Sequence, residues 1–158
     1  MTPRRILVTG TGGPLGSNVV RSLRMAPEPL AIFGTEANRY HLPLSLADRT
    51  FHIPHSRNTD AYLSALARIV ADEGIDLIVP THPVEVRTIA LHAAQVGKVR
   101  LFLPPLPAIL TADSKWETFR LLRAASVPVP DTFVIEREED VYAAFAQITT
   151  RPVWVRGS

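Results

Sequence analysis

Ile6-Leu7-Val8-Thr9-Gly10-Thr11-Gly12-Gly13-Pro14-Leu15-Gly16 decides how this chain is read, because an apolar strand runs directly into a glycine-rich turn and then into helix-forming sequence. Gly10, Gly13 and Gly16 remove side chains where the backbone must turn sharply. Backbone N–H groups and a helix N-terminus are thereby expected to face an anion or polar ligand. Pro14 suits the first turn of the helix. The same pattern also serves a tight turn that only packs a helix on a strand, so the rest of the chain has to be weighed with it.

Outward from this segment, short apolar runs alternate with helical periodicity. Ile6 to Thr9, Leu30 to Gly34, Thr50 to Ile53, Leu77 to Pro80 and Leu101 to Leu103 read as strands. Helices fit at Leu15 to Met25, Asp60 to Glu73 and Val84 to Val96, with Gly74 and Gly97 placed as C-terminal glycines. Tyr62, Leu66, Ile69 and Val70 share one helical face. Such alternation predicts an α/β fold, a parallel sheet with helices on both faces, right-handed crossovers and ligands outside the carboxyl ends of the strands. Three loops are expected to meet there: the glycine turn, the loop from Gly34 to Asn38, and the loop from Pro80 to Glu85.

Pro104, Pro105 and Pro107 then form a stiff junction, and a domain boundary is expected there, dividing residues 1–105 from 106–158. A helix from Ser114 to Ala125 begins with Ser114 and Glu117 in capping-box spacing and is expected to bury Trp116, Phe119 and Leu122. Thr132 to Ile135 reads as a strand, Glu138 to Ile148 as a helix and Pro152 to Arg156 as a final strand.

Composition narrows the classes of function. At 158 residues, 46% hydrophobic and 20% charged, the chain suits a globular domain with a proper core. Its net charge of +2 is spread over fifteen arginines and two lysines without a like-charge run, which speaks against nucleic acid or a membrane surface as partner. Cysteine is absent, removing disulfides, thiolate metal sites and cysteine nucleophiles. Ile6 to Val8 is too short for a signal or spanning segment, and the cytoplasm is the default location. His52 and His55 are the only close histidines, separated by Pro54, which argues against a zinc site. No serine stands in a G-x-S-x-G elbow. Trp116 and Trp154 read as packing residues rather than a base-stacking platform.

Four pieces, in order, resemble the ATP-grasp superfamily in its carbamoyl-phosphate-synthase-like and biotin-carboxylase-like branch: ILVTGTGGPLGSNVVRSLR (6–24), GTEANRYHLPLSLADRTFHIP (34–54), DSKWETFRLLRAASVPVPDTF (113–133) and RPVWVRGS (151–158). The third resembles that family's lysine-bearing helix and its G-V-P-x-P exit, with Ser126 in place of glycine. The resemblance implies a Rossmann-like pre-ATP-grasp domain, then a small α+β segment that begins an ATP-grasp domain. It implies an ATP-dependent carboxylate-amine or carboxylate-thiol ligase working through an acyl phosphate, with ATP and magnesium as cofactors. The metal ligands and the glycine-rich lid are expected outside this chain, so the 158 residues alone are expected to be inactive. Small carboxylate and amine substrates follow as partners, and a homodimer is allowed for.

Residue by residue, Lys115 matches a lysine that contacts ATP phosphates, against the alternative of a solvated lysine in a first helical turn. Arg156 matches a second ATP-binding cation, usually lysine, where arginine offers a bidentate fork. By resemblance Gly10, Thr11, Gly12 and Gly13 line the acceptor-substrate side of the cleft rather than hold ATP. Glu36 stands where relatives often carry aspartate, and Glu85 could orient an amine or hydroxyl; a solvated loop acid is the plain alternative for both. No catalytic residue is assigned within the chain.

The rival is an NAD(P)-binding protein of the atypical short-chain dehydrogenase kind, whose T-G-x-x-G-x-x-G loop residues 9–16 also fit. Its tyrosine-lysine pair is missing, since Tyr40, Tyr62 and Tyr142 are followed four residues later by Leu44, Leu66 and Ala146. Glu36 could still reach an adenosine ribose. A third possibility is a non-catalytic module docking on a partner.

Overall fold

A computed structural model of the chain describes residues 2–149 and 152–155. It divides into two compact units, Met1–Leu106 and Pro107–Ser158. The first is built on five parallel strands, β1 (Arg4–Thr9), β2 (Leu30–Glu36), β3 (Arg49–His52), β4 (Leu77–Val79) and β5 (Arg100–Leu101), in the order β3-β2-β1-β4-β5.

The alternation of side chains along β1 loads both faces of the sheet. Leu7 belongs to a core with Phe33, Ile78 and the helix α2 (Thr59–Glu73) residues Tyr62, Leu63, Leu66 and Ile69. Ile6 and Val8 belong to a second core with Ile32 and Val20 of helix α1 (Pro14–Leu23). Each such aliphatic side chain withdrawn from water stabilises the fold by about 1.5–3 kcal/mol before entropy is counted. Helix α3 (Pro83–Leu91) lies with α2, sharing its core through Ile89. The chain thus leaves β1 for β2 along one face and leaves β4 for β5 along the other. That change of direction makes the gap between β1 and β4 the topological switch point, where open α/β sheets hold ligands.

The helix expected over Val84 to Val96 is shorter. It ends at Leu91, His92 leaves helical backbone at φ −123° and ψ 31°, and a 3-10 turn covers Ala93–Val96. The break lets Val96 reach full burial in the core shared with α2. The strand expected at Leu101 to Leu103 stops at Leu101, and Phe102 is exposed.

In the second unit, helix α4 (Leu106–Asp113) forms within the proline-rich junction, with Pro107 tolerated in its first turn. Helix α5 (Lys115–Ala124) starts at Ser114, whose hydroxyl accepts the Glu117 N–H at 3.2 Å. Of the three residues expected to be buried there, Phe119 is, while Trp116 and Leu122 are each 39% exposed. Trp116 stacks on Phe119 with centroids 5.3 Å apart. Helix α6 (Glu138–Gln147) follows. Residues 132–135 form no strand; no described segment pairs with them, and Phe133, Val134 and Ile135 stay exposed. Residues 152–155 form none either, and Trp154 is exposed rather than packed.

Ser126 ends α5 in the left-handed region at φ 59°. Its N–H donates to the Arg123 carbonyl, and that of Val127 to the Leu122 carbonyl, each at 3.0 Å. This is the Schellman arrangement, which favours glycine because a Cβ is penalised at positive φ. Ser126→Gly is therefore expected to stabilise the chain by about 1 kcal/mol, read as a raised urea midpoint at unchanged slope.

Candidate functional site

Gly10, at φ 61°, turns the chain out of β1. The turn is then closed by its own bonds. Thr11 N–H donates to the Thr35 carbonyl at 3.1 Å, Gly13 N–H to the Gly10 carbonyl at 3.1 Å, and Gly12 N–H to Glu36 Oε2 at 3.0 Å. Those three N–H groups, expected to face a ligand, are thus spent inside the protein. The reason is Glu36 itself: it ends β2 buried, and a buried carboxylate must collect donors. Its Oε1 accepts the Asn38 N–H at 3.0 Å.

The segment after β2 also covers the turn. A Cβ on Gly12 would lie 2.4 Å from the His41 carbonyl oxygen and 2.8 Å from Glu36 Oε2. This backbone occupies the approach that a dinucleotide pyrophosphate requires, and both Glu36 oxygens already hold N–H groups that a ribose hydroxyl would have to compete with. The geometry therefore counts against dinucleotide binding at this turn.

On the opposite face, Glu85 is the second buried acid. It accepts the Thr9 hydroxyl on Oε2 at 2.8 Å and the Tyr62 hydroxyl on Oε1 at 3.0 Å. Thr9 Oγ1 in turn accepts the Thr81 N–H at 3.1 Å, and the Thr81 hydroxyl donates to the Thr9 carbonyl at 2.8 Å. One carboxylate thus joins the end of β1 and the first turns of α2 and α3, beside the switch point. Burial pushes the Glu85 carboxyl above the usual range; the nearby Glu36 charge adds to this, while Thr9, Tyr62 and His82 oppose it. Tyr62 is held still further from ionising, by burial first and by the Glu85 charge second. Neither glutamate is a solvated loop acid.

The rim is apolar. Leu15 opens α1 at 55% exposure, Tyr40 stands in the loop after β2 at 80%, and Val84 opens α3 at 40%. Thr9, Tyr62 and Thr81 were not singled out from sequence as site residues. Their signal is a polar side chain where an apolar strand or helix face meets the glycine turn.

In the second unit, Lys115 Nζ is exposed and donates to the Ala112 carbonyl at 3.2 Å. A cation at the carbonyl end of α4 is favourable, which gives this first-turn lysine a structural reason that the sequence concealed. Arg156 lies outside the described residues. Among the described residues no group of three or more His, Cys, Asp or Glu could hold a metal ion, and no helix is long and apolar enough to cross a membrane.

The five-stranded parallel sheet with its flanking helices is an α/β fold with structural neighbours among biotin carboxylases and an amino acid ligase. In particular, the chain is similar to the biotin carboxylase subunit of pyruvate carboxylase, at TM-score 0.58 and 19% identity, covering 94% of this chain and 34% of that one. It is similar to the biotin carboxylase domain of Hydrogenobacter thermophilus 2-oxoglutarate carboxylase, crystallised with MgADP, ADP and bicarbonate (TM-score 0.62, 17% identity, 95% and 34% covered). An L-amino acid ligase from Bacillus licheniformis matches at TM-score 0.57 and 13% identity, with 82% and 32% covered. The chain spans about a third of the length of these proteins. No protein-family model and no curated protein matches it in sequence.

Proposed function

We propose that the chain is the amino-terminal part of an ATP-dependent ligase that activates a small carboxylate as an acyl phosphate for attack by an amine or thiol. Residues 1–105 form the wall that receives the acceptor, and residues 106–158 begin the nucleotide-binding part. The observation that supports this reading is the sheet order β3-β2-β1-β4-β5 with its switch point at β1 and β4, in a chain whose fold is similar to the biotin carboxylases and the L-amino acid ligase named above.

The acceptor lies at the outer side of the turn Gly10, Thr11, Gly12 and Gly13, in which Thr11 and Gly12 are buried and shape the wall from behind, and which Glu36 braces on one face and Glu85 on the other. Lys115 and Arg156 are the cations for the ATP phosphates. When bound, ATP would supply the phosphoryl group that turns the acceptor carboxylate into a leaving-group-bearing acyl centre. Lys115 fits that role because one N–H engages Ala112 and the other two ammonium protons remain for phosphate oxygens. For magnesium the described residues offer no ligand set, and no step is assigned to it. The proposal for these residues is binding rather than turnover, in the cytoplasm.

Titration calorimetry on the 158-residue chain tests it. ATP is expected to bind, NADPH not, and Lys115→Ala to weaken ATP at least tenfold, about 1.4 kcal/mol. NADPH binding tighter than ATP, or ATP affinity unchanged in Lys115→Ala, would overturn the reading.

A further inference from the structure

Glu85 has a property that acceptor binding does not use. The residue is 8% exposed, and the hydrogen-bond partners of its carboxylate are two neutral hydroxyls from two other elements, Thr9 on β1 and Tyr62 on α2. Among the described residues it makes no ion pair. The titratable groups that bear on it are Tyr62 from α2, His82 from the turn before α3 and Glu36 from the end of β2; Thr9 and Thr81 face it as neutral hydroxyls. A Cβ built on Gly10 would stand 3.6 Å from Glu85 Oε2 and 3.2 Å from Thr81 Oγ1, so the carboxylate sits directly behind the turn.

The hydrogen-bond arithmetic differs between the two protonation states. An ionised carboxylate accepts from both hydroxyls. A protonated one keeps one carbonyl oxygen as a good acceptor and turns the other into a donor. With the proton from solvent on either oxygen, the hydroxyl that had donated there must swing its hydrogen elsewhere. Thr9 already accepts from Thr81, and the fully buried Tyr62 hydroxyl has no second hydrogen-bond partner among the described residues. We propose that Glu85 is a proton-operated clasp: ionised, it fastens β1 and α2 to α3 beside the switch point by accepting both hydroxyls; protonated, it reverses one of those two bonds, leaves that hydroxyl's hydrogen without its acceptor and loosens that wall of the crevice.

The clasp also fixes the sign of its effect on stability. Because burial favours the neutral acid in the folded state, the stabilisation Glu85 contributes is fully present at low pH and is lost as pH rises through its folded-state midpoint. Charge is thus held at a cost to global stability while it tightens the local geometry.

Carbon-13 NMR of the 158-residue chain reads this directly through the Glu85 carboxyl, the Tyr62 ring carbon bearing oxygen, and the Thr81 amide. The carboxyl is expected to titrate above the ordinary glutamate range, with the Tyr62 and Thr81 signals moving at the same midpoint. In Glu85→Gln both signals should be flat across that interval, and the melting temperature should lose the part of its pH dependence that Glu85 supplies. Tyr62→Phe, which removes a donor to the charged form, should raise the carboxyl midpoint further and serves if Glu85→Gln does not fold. A carboxyl titrating in the ordinary range, Tyr62 and Thr81 signals that do not follow it, or a midpoint unmoved in Tyr62→Phe would each overturn the clasp.

Discussion

Gly16→Ala is expected to destabilise the first unit by about 3 kcal/mol, the upper end for a forced overpacking. A Cβ there would stand 2.3 Å from the Gly10 carbonyl oxygen, 2.7 Å from the Gly10 carbonyl carbon and 2.8 Å from Thr11 Cα. All three are backbone atoms, so no rotamer change relieves the contact. The helix α1 would have to lift from β1, taking Val20 out of its core with Ile6, Val8 and Ile32. Gly13→Ala is the matched control: its Cβ would meet the Gly10 oxygen at 3.5 Å, an ordinary contact at a φ any residue adopts. Urea unfolding should separate the two by most of the 3 kcal/mol; equal midpoints would show that the turn yields more easily than its geometry states. Against a total of about 5–15 kcal/mol, such a loss is large.

Thr9→Val carries the second large effect, also about 3 kcal/mol, because it strips a donor from a buried acid and an acceptor from a backbone N–H at once. Valine keeps the shape and β-propensity of threonine, so the difference isolates the hydroxyl. Glu85 would retain only Tyr62, and the Thr81 N–H would lose Thr9 Oγ1. Thr9→Ser preserves both bonds and is expected to lose about 1 kcal/mol at most, through the missing methyl. Thermal unfolding of the two variants side by side is the measurement, and a Thr9→Val midpoint equal to that of Thr9→Ser would remove the hydroxyl from the account.

The first unit was legible because its signals are local. Apolar runs bounded by Gly10, Gly74 and Pro80 mark where strands and helices end, and Tyr62, Leu66, Ile69 and Val70 share a face at helical spacing. The site was legible only as a place. The glycine turn and the acids Glu36 and Glu85 could be singled out, but their burial depends on packing between segments 24 and 76 residues apart. Nothing in the spacing said that Glu36 would take the Gly12 N–H, or that His41 would cover the turn. The partner of Lys115 was hidden for the same reason: the α4 terminus that receives its ammonium lies in a proline-rich stretch. The strands expected at 132–135 and 152–156 rested on β-branched and aromatic runs alone, and a strand needs a partner as well as a propensity.

β1 lies between β2 and β4, and its register partners on one side, Leu77 to Val79, follow it by about seventy residues. During synthesis the ribosome must therefore pass residue 79 before Leu7 and Val8 have neighbours on both sides, and residue 85 before Thr9 and Tyr62 find their common acceptor. Until then the nascent chain carries a half-bordered, apolar first strand, the kind of intermediate that slows assembly and invites chaperones.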